Sequence, residues 1–347
     1  MSPRERVLAA LAGERPDRVP FALGFFSQSL FGAEDADELF HTDVRFVEFD
    51  PPAQQEGLTA YLRSLPADVH VGSVAQLRTY AEWGYRPQGG AEEHALARVA
   101  SSAEVVEGLL PDITDPSRHD AVAAKVGAFH AKGLAVAGAP PALGGELFET
   151  AYRLRGFERF MEDLLERATL VDYILEQLTA MVVRNVVVLA EAGVDVLVLD
   201  DDVASSHGLI ISPAIWRRFF RSPLEHVIRA AREAAPHIRV FYHSDGDFTR
   251  LVPELAALGV DVVNPIAPDC MDAAAIRRAH GFRPALWGTV GDARLWDHGT
   301  PEQVKAEVGR RISTLGTAGL LLAPAYDLDY APRENVEAFV EAVLESE

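Results

Sequence analysis

Along the last two-thirds of the chain, short apolar, β-branched runs alternate with longer stretches whose apolar positions recur at helical spacing. This alternation predicts βαβ units and a parallel sheet. The clearest strands are "LAVAG" (134–138), "DVLVLD" (195–200), "IRVFYH" (238–243), "VDVVN" (260–264), "PALWG" (284–288) and "GLLLAP" (319–324). Helices are predicted near 212–235, with Ser212 as N-cap and Pro213 in the first position, and over 301–316, with Thr300 as cap, Pro301 first and Glu302 in the first turn. Another follows Pro332. Nearer the N-terminus, "VPFALGF" (19–25) and "VRFVEF" (44–49) supply two further strands. Eight strands alternating with helices predict an α/β fold of the (β/α)8 TIM-barrel type, one domain over residues 1–347. Residues 51–130, with "EWGYRPQGG" and "LPDITDPSR", break the alternation. They are read as an excursion between the second and third strands, expected over the barrel mouth. No GxGxxG follows the first strand, which argues against a dinucleotide-binding fold.

Composition narrows the function classes. A hydrophobic content of 48% supports a large core. The formal net charge of -20 repels phosphate backbones and anionic lipid, so neither a nucleic-acid nor a membrane-surface partner is expected. The one cysteine, Cys270, permits no intrachain disulfide and no Cys-rich zinc site, which fits a reducing, cytoplasmic setting. The opening "MSPRERVLAALAGERP" has no apolar h-region, so no secretory signal is expected. The longest apolar candidate, "VVRNVVVLA", is interrupted by Arg184 and Asn185, so no membrane span is expected.

Reactive groups of such barrels gather at the C-terminal ends of the strands. In this chain those positions hold Phe25 and Phe26, Asp200, Asp201 and Asp202, His243 and Asp245, Asn264, Thr289, and Tyr326 with Asp327. Because strand side chains alternate, at most two of the three consecutive aspartates can face one cavity. Crowded carboxylates raise one another's pKa, so one can keep a proton as a general acid beside a charged neighbour. His243 and Asp245 lie two apart, on one side of a continuing strand; they could ligate a metal, or the aspartate could orient the imidazole. His207 follows the aspartates and could approach the same mouth. Glu149 and Arg155, with Arg153, are candidates for substrate binding, since the arginine fork matches a carboxylate. Cys270 lies between Asp269 and Asp272, which oppose thiolate formation, and is read as non-catalytic.

These motifs resemble the uroporphyrinogen decarboxylase superfamily. The likeness runs from "RERVLAALAGERPDRVP" through "LFETAYRLRGFERFMEDL", "GVDVLVLDDDVASSHGLIISPAIWRRFF", "VFYHSDGDF" and "LWGTVG" to "LLLAPAYDLDYAPRENVEAF". It implies a (β/α)8 barrel and an activity either of the decarboxylase type or of zinc-dependent methyl transfer to corrinoids and thiols. The decarboxylase proper carries an arginine-rich segment near its N-terminus; the matching "ALGFFSQSLFG" has no arginine, so porphyrinogen is not the expected substrate. The methyltransferases hold zinc by His-x-Cys and a later Cys. Those positions fall on His243, Asp245 and the region of Tyr326, so thiolate is replaced by carboxylate and phenol.

The leading expectation is a metal-independent, decarboxylase-like lyase acting on a small organic acid. His243 and the Asp200–Asp202 group would manage protons, Asp245 would orient His243, and Tyr326 would donate to a developing anion. Phe25, Phe26, Glu149, Arg155, His207, Asn264 and Thr289 would line the substrate. The alternatives are a zinc-dependent methyltransferase, with His243 and Asp245 as ligands and a corrinoid protein as partner, and a barrel that binds a ligand without chemistry. The resemblance also suggests a homodimer.

Overall fold

The structure, a computed structural model, describes residues 1–24, 30–31, 35–50, 94, 96–101, 110 and 113–346. Seven parallel strands form one curled sheet: β1 (Val44–Val47), β2 (Ala135–Gly138), β3 (Val196–Asp200), β6 (Arg239–His243), β7 (Val262–Asn264), β8 (Ala285–Trp287) and β9 (Leu320–Leu321). The expected first strand is reduced to its middle. Phe21 forms a parallel bridge to Leu322, and its carbonyl accepts from Asp43 N at 3.1 Å, just before β1. That segment closes the ring between β9 and β1, so the sheet is a (β/α)8 barrel. Two short strands, β4 (Ala204–Ser205) and β5 (Gly208–Leu209), form a separate antiparallel hairpin after β3.

Strand alternation divides the core in two. Val44, Ala135, Ala137, Val196, Val198, Phe241, Val262, Ala285, Trp287 and Leu321 fill the barrel interior. The residues between them, among them Val47, Val136, Leu197, Leu199, Val240, Val263, Leu286 and Leu320, pack outward beneath the helices. Trp287 and Phe241 meet edge to face at 5.1 Å inside the ring, where the neighbouring alanines leave them space.

The N-terminal end of the barrel is tied by a repeated device that the sequence reading did not identify. Asp43, Asp195 and Asp261 each stand just before a strand and accept a backbone N–H from the adjacent segment: Phe21 at 3.0 Å, Val136 at 2.9 Å and Val240 at 2.9 Å. Each carboxylate also pairs with arginine: Arg6 and Arg18, Arg4, and Arg232 with Arg239 respectively. The strand starts are therefore held by charged hydrogen bonds, and the opposite end is left to carry chemistry.

Several helix boundaries differ from expectation. The helix predicted over 212–235 is two, Pro213–Phe219 and Arg221–Ala234. The interruption precedes Pro223, which has no N–H to donate and whose ring crowds the carbonyl four residues earlier. Within the predicted excursion, Val122–Ala131 is the helix between β1 and β2, while most of 51–112 lies outside the described residues. The helix Ala168–Ala192 is long and apolar enough to cross a membrane, yet half of its apolar window is buried in the protein. Ile174, Leu178, Val182, Val186 and Leu189 provide that buried face.

Candidate active site

The register sets three inward positions side by side. Asp200 pairs with His243 across β3 and β6, and His243 pairs with Asn264 across β6 and β7. Each lies two residues beyond an interior apolar residue, Val198, Phe241 or Val262, so all three side chains top the barrel core at its C-terminal end. All three are buried.

His243 is held through Nδ1, 2.7 Å from Asn264 Oδ1. Its Nε2 faces two carboxylates, Asp202 Oδ1 and Asp245 Oδ1, each at 3.6 Å. Asp245 is the more exposed of the two, at 68% against 34% for Asp202. Asp202 Oδ1 also accepts from Asp245 N at 2.6 Å, which joins the ends of β3 and β6. Ser244 strengthens that junction, its Oγ accepting from Val203 N at 3.1 Å.

The three aspartates divide as alternation requires. Asp200 and Asp202 lie with His243, each offering a ligand atom within 4.8 Å of the others. Asp201 faces the other way: its two oxygens accept from Phe148 N at 2.9 Å and Glu149 N at 3.0 Å, capping the helix Phe148–Arg155 from outside. Burial pushes the Asp201 carboxyl up to about 8 against the pull of those N–H groups. Burial, reinforced by the charges of Asp202, Glu149, Glu146 and Asp201, drives Asp200 well above the usual carboxylate range. Its Oδ1 is buried with no hydrogen-bond partner among the described residues. Asp202 is raised by burial in turn, with the His243 and Arg153 charges opposing.

A fourth buried carboxyl was missed in the sequence. Glu146 accepts from Asp200 N at 2.6 Å, while its own N–H donates to the Asp200 carbonyl at 2.9 Å. Burial raises it well above its ordinary value. The available signal was the doublet before it, Gly144 and Gly145. A Cβ on Gly145 would lie 2.5 Å from the Asp200 carbonyl oxygen, so only glycine lets this loop approach β3.

Other expected site residues are placed differently. Arg155 does not reach a substrate: it is 1% exposed, and its guanidinium donates to Asp163 Oδ2 at 2.6 Å, Leu96 O at 2.6 Å and Val99 O at 2.7 Å. Burial with three acceptors makes it a structural tie. The guanidinium whose charge reaches Asp202 belongs to Arg153, which also donates to Glu149 Oε1 at 2.9 Å. Glu149 is buried, accepts from the Tyr152 hydroxyl as well, and so positions its neighbours. His207 is exposed in the turn of the β4–β5 hairpin, its Nδ1 3.1 Å from Ser206 Oγ, and does not join the His243 group. Tyr326 is spent on Asp269, donating to Oδ1 at 2.6 Å, and burial with that neighbouring carboxylate raises its pKa. Asn264 contacts His243 directly, so its place is behind the imidazole. Thr289 is fully buried, its hydroxyl without a partner among the described residues. Cys270 is pushed up to about 11 by burial and by Asp269, Asp247 and Asp245, as its acidic surroundings implied. Phe25 and Phe26 lie outside the described residues.

With this geometry in place, the comparisons agree with the fold. The family described as Uroporphyrinogen decarboxylase (URO-D) matches residues 132–346, more than half of the chain. The chain belongs to this family. Among solved structures, a methyltransferase from Methanosarcina mazei aligns over 99% of this chain and 99% of its own, with a TM-score of 0.71 and 19% identity. At that identity the likeness speaks for the barrel fold alone. A B12-independent methionine synthase from Shewanella sp. W3-18-1 aligns over 65% of each chain, with a TM-score of 0.41 and 10% identity. No curated protein matches the chain.

Proposed function

We propose that the chain is a decarboxylase-like lyase acting on a small organic acid by proton transfer at the Asp200–His243–Asn264 row. The observation that carries this reading is Asp200, a buried carboxyl beside His243 whose Oδ1 has no hydrogen-bond partner among the described residues and whose pKa burial and neighbouring charges drive well above the carboxylate range. Decarboxylation leaves the electron pair of the broken C–C bond on carbon, and that carbon must take a proton. Asp200 donates it and becomes a carboxylate. His243 and the part-exposed Asp202 return a proton from solvent. Arg153, in place of Arg155, holds the substrate carboxylate that is not lost, or the departing one before cleavage.

A second reading, metal-dependent methyl transfer, is favoured by one specific observation: the ligand atoms of Asp200, Asp202 and His243 lie within 4.8 Å of one another. One imidazole and two carboxylates fit a divalent cation, zinc included. These three residues would hold it, with Asp245 next to them. Once bound, such an ion supplies Lewis acidity for activating a thiol, and a corrinoid protein would be the methyl partner. Cys270 is not in the group.

One experiment separates the readings. The purified protein is offered a panel of carboxyl-labelled small organic acids, and released carbon dioxide is measured before and after exhaustive chelation, with metal analysis of the same sample. Release that survives chelation supports the lyase. Stoichiometric zinc with turnover that disappears on its removal overturns the metal-free form.

A further inference from the structure

We infer that Asn264 is a positioning residue that selects the tautomer of His243, fixing the proton on Nδ1 and turning the Nε2 lone pair to the carboxylates. The backbone carbonyl of Trp287 can only accept a hydrogen bond. It lies 3.1 Å from the Asn264 side-chain amide, so the nitrogen of that amide, Nδ2, must face it. The other end of the amide is then Oδ1, which can only accept. It lies 2.7 Å from His243 Nδ1, so that ring nitrogen carries the hydrogen. In a neutral imidazole, the second nitrogen is then left as an acceptor. That second nitrogen is Nε2, which faces Asp202 and Asp245 at 3.6 Å.

Two further features hold the relay in place. Asn264 is 3% exposed and His243 6%, so water has little access to compete for either end of the amide. Gly288, at φ +73°, makes room for it: a Cβ there would stand 2.4 Å from Asn264 Nδ2. The sequence "LWGTVG" therefore contributes a carbonyl at Trp287 and a space at Gly288, both serving a residue on the neighbouring strand. Free neutral histidine favours the opposite tautomer, with its hydrogen on Nε2. A ring so protonated could neither take a proton at that nitrogen nor ligate through it. The selected tautomer suits proton return to Asp200, and in that respect the inference deepens the proposed function. Its test needs no substrate.

The test is nitrogen-15 NMR of histidine-labelled full-length protein, at a pH where the ring is neutral. His243 is assigned by the signals that disappear in His243→Gln. In the wild type, Nδ1 is expected to resonate in the pyrrole-type range, bonded to hydrogen, while Nε2 lies in the pyridine-type range or at a metal-bound shift. Asn264→Ala is expected to move the population towards hydrogen on Nε2. Asn264→Asp keeps an acceptor against Nδ1 and is expected to restore the wild-type pattern. A wild-type His243 with its hydrogen on Nε2 would overturn the inference, and so would an Asn264→Ala protein with unchanged ring shifts. The wild-type spectrum decides the matter even where a variant folds poorly. Because no turnover is measured, failure here is distinguishable from failure of the lyase reading.

Discussion

Replacing Arg155 with alanine tests whether this residue ties the fold or meets substrate. Its guanidinium is buried and donates to Asp163 Oδ2 at 2.6 Å and to the carbonyls of Leu96 and Val99 at 2.6 and 2.7 Å. Asp163 is equally buried, and its other arginine contact, Arg167, is half exposed and 3.7 Å away. Removing Arg155 leaves a nearly uncompensated buried carboxylate, which costs about 3–5 kcal/mol. The Val99 carbonyl also loses its donor, at about 1–3 kcal/mol when nothing relaxes, whereas the Leu96 carbonyl still accepts from Val99 N at 3.2 Å. Residues 96–99 can shift to reach water, so the contributions do not add fully and a total of about 5 kcal/mol is expected. Against a typical stability of about 5–15 kcal/mol, such a loss is severe. Thermal and urea unfolding of Arg155→Ala should show a melting temperature lowered by about 7 °C. The double variant Arg155→Met/Asp163→Leu, which removes the charge pair together, should recover much of the loss. An Arg155→Ala protein with unchanged stability and lost turnover would show that Arg155 meets substrate and does not tie the fold.

Two other expectations follow from buried groups away from the row. Asp37 accepts from Thr42 Oγ1 at 2.7 Å, and burial pushes it from 3.8 to about 6. Between those values the folded state binds more protons than the unfolded chain, so stability falls as pH rises from about 4 through 6, by at most ~3 kcal/mol from this group. Asp37→Asn should flatten that part of a plot of urea midpoint against pH; an unchanged slope would assign it to other carboxyls. Cys270, with its thiol near 11, should react with iodoacetamide at pH 7.5 about a hundredfold more slowly than free cysteine, and Cys270→Ser should leave turnover intact. Modification at the rate of a free thiol would show that its acidic surroundings do not suppress the thiolate.

The barrel was legible because strand periodicity and β-branched composition are local properties. Six runs from "LAVAG" to "GLLLAP" became strands within a few residues of their expected limits, and "VRFVEF" became β1. The opening run was weaker: among the described residues only Phe21 bridges to Leu322, since a closing segment is defined by its neighbours and not by its own length. The row itself was half legible. Alternation said that two of three aspartates could share a cavity, and it separates Asp200 and Asp202 from Asp201. It could not say that the odd one caps the helix Phe148–Arg155, because the partners lie more than fifty residues apart in sequence. The same distance hid Glu146, which meets Asp200 only through the fold. Arg155 was misjudged because an arginine near an acidic residue in sequence carries no mark of being buried. Asn264 was noticed as a strand-end polar group, but its orientation towards His243 depends on the Trp287 carbonyl one strand away.

In the proposed reaction, Asp200 supplies the proton that replaces carbon dioxide. The most direct measurement is turnover of an accepted organic acid in deuterium oxide, comparing wild type with Asp200→Asn. The wild type should release carbon dioxide and yield a product with one solvent deuterium on the carbon that lost the carboxyl group. Asp200→Asn should fold normally and lose about a hundredfold or more in rate, the usual worth of a positioned general acid. An Asp200→Asn protein that retains the wild-type rate and the same deuterium content would exclude Asp200 as the proton donor.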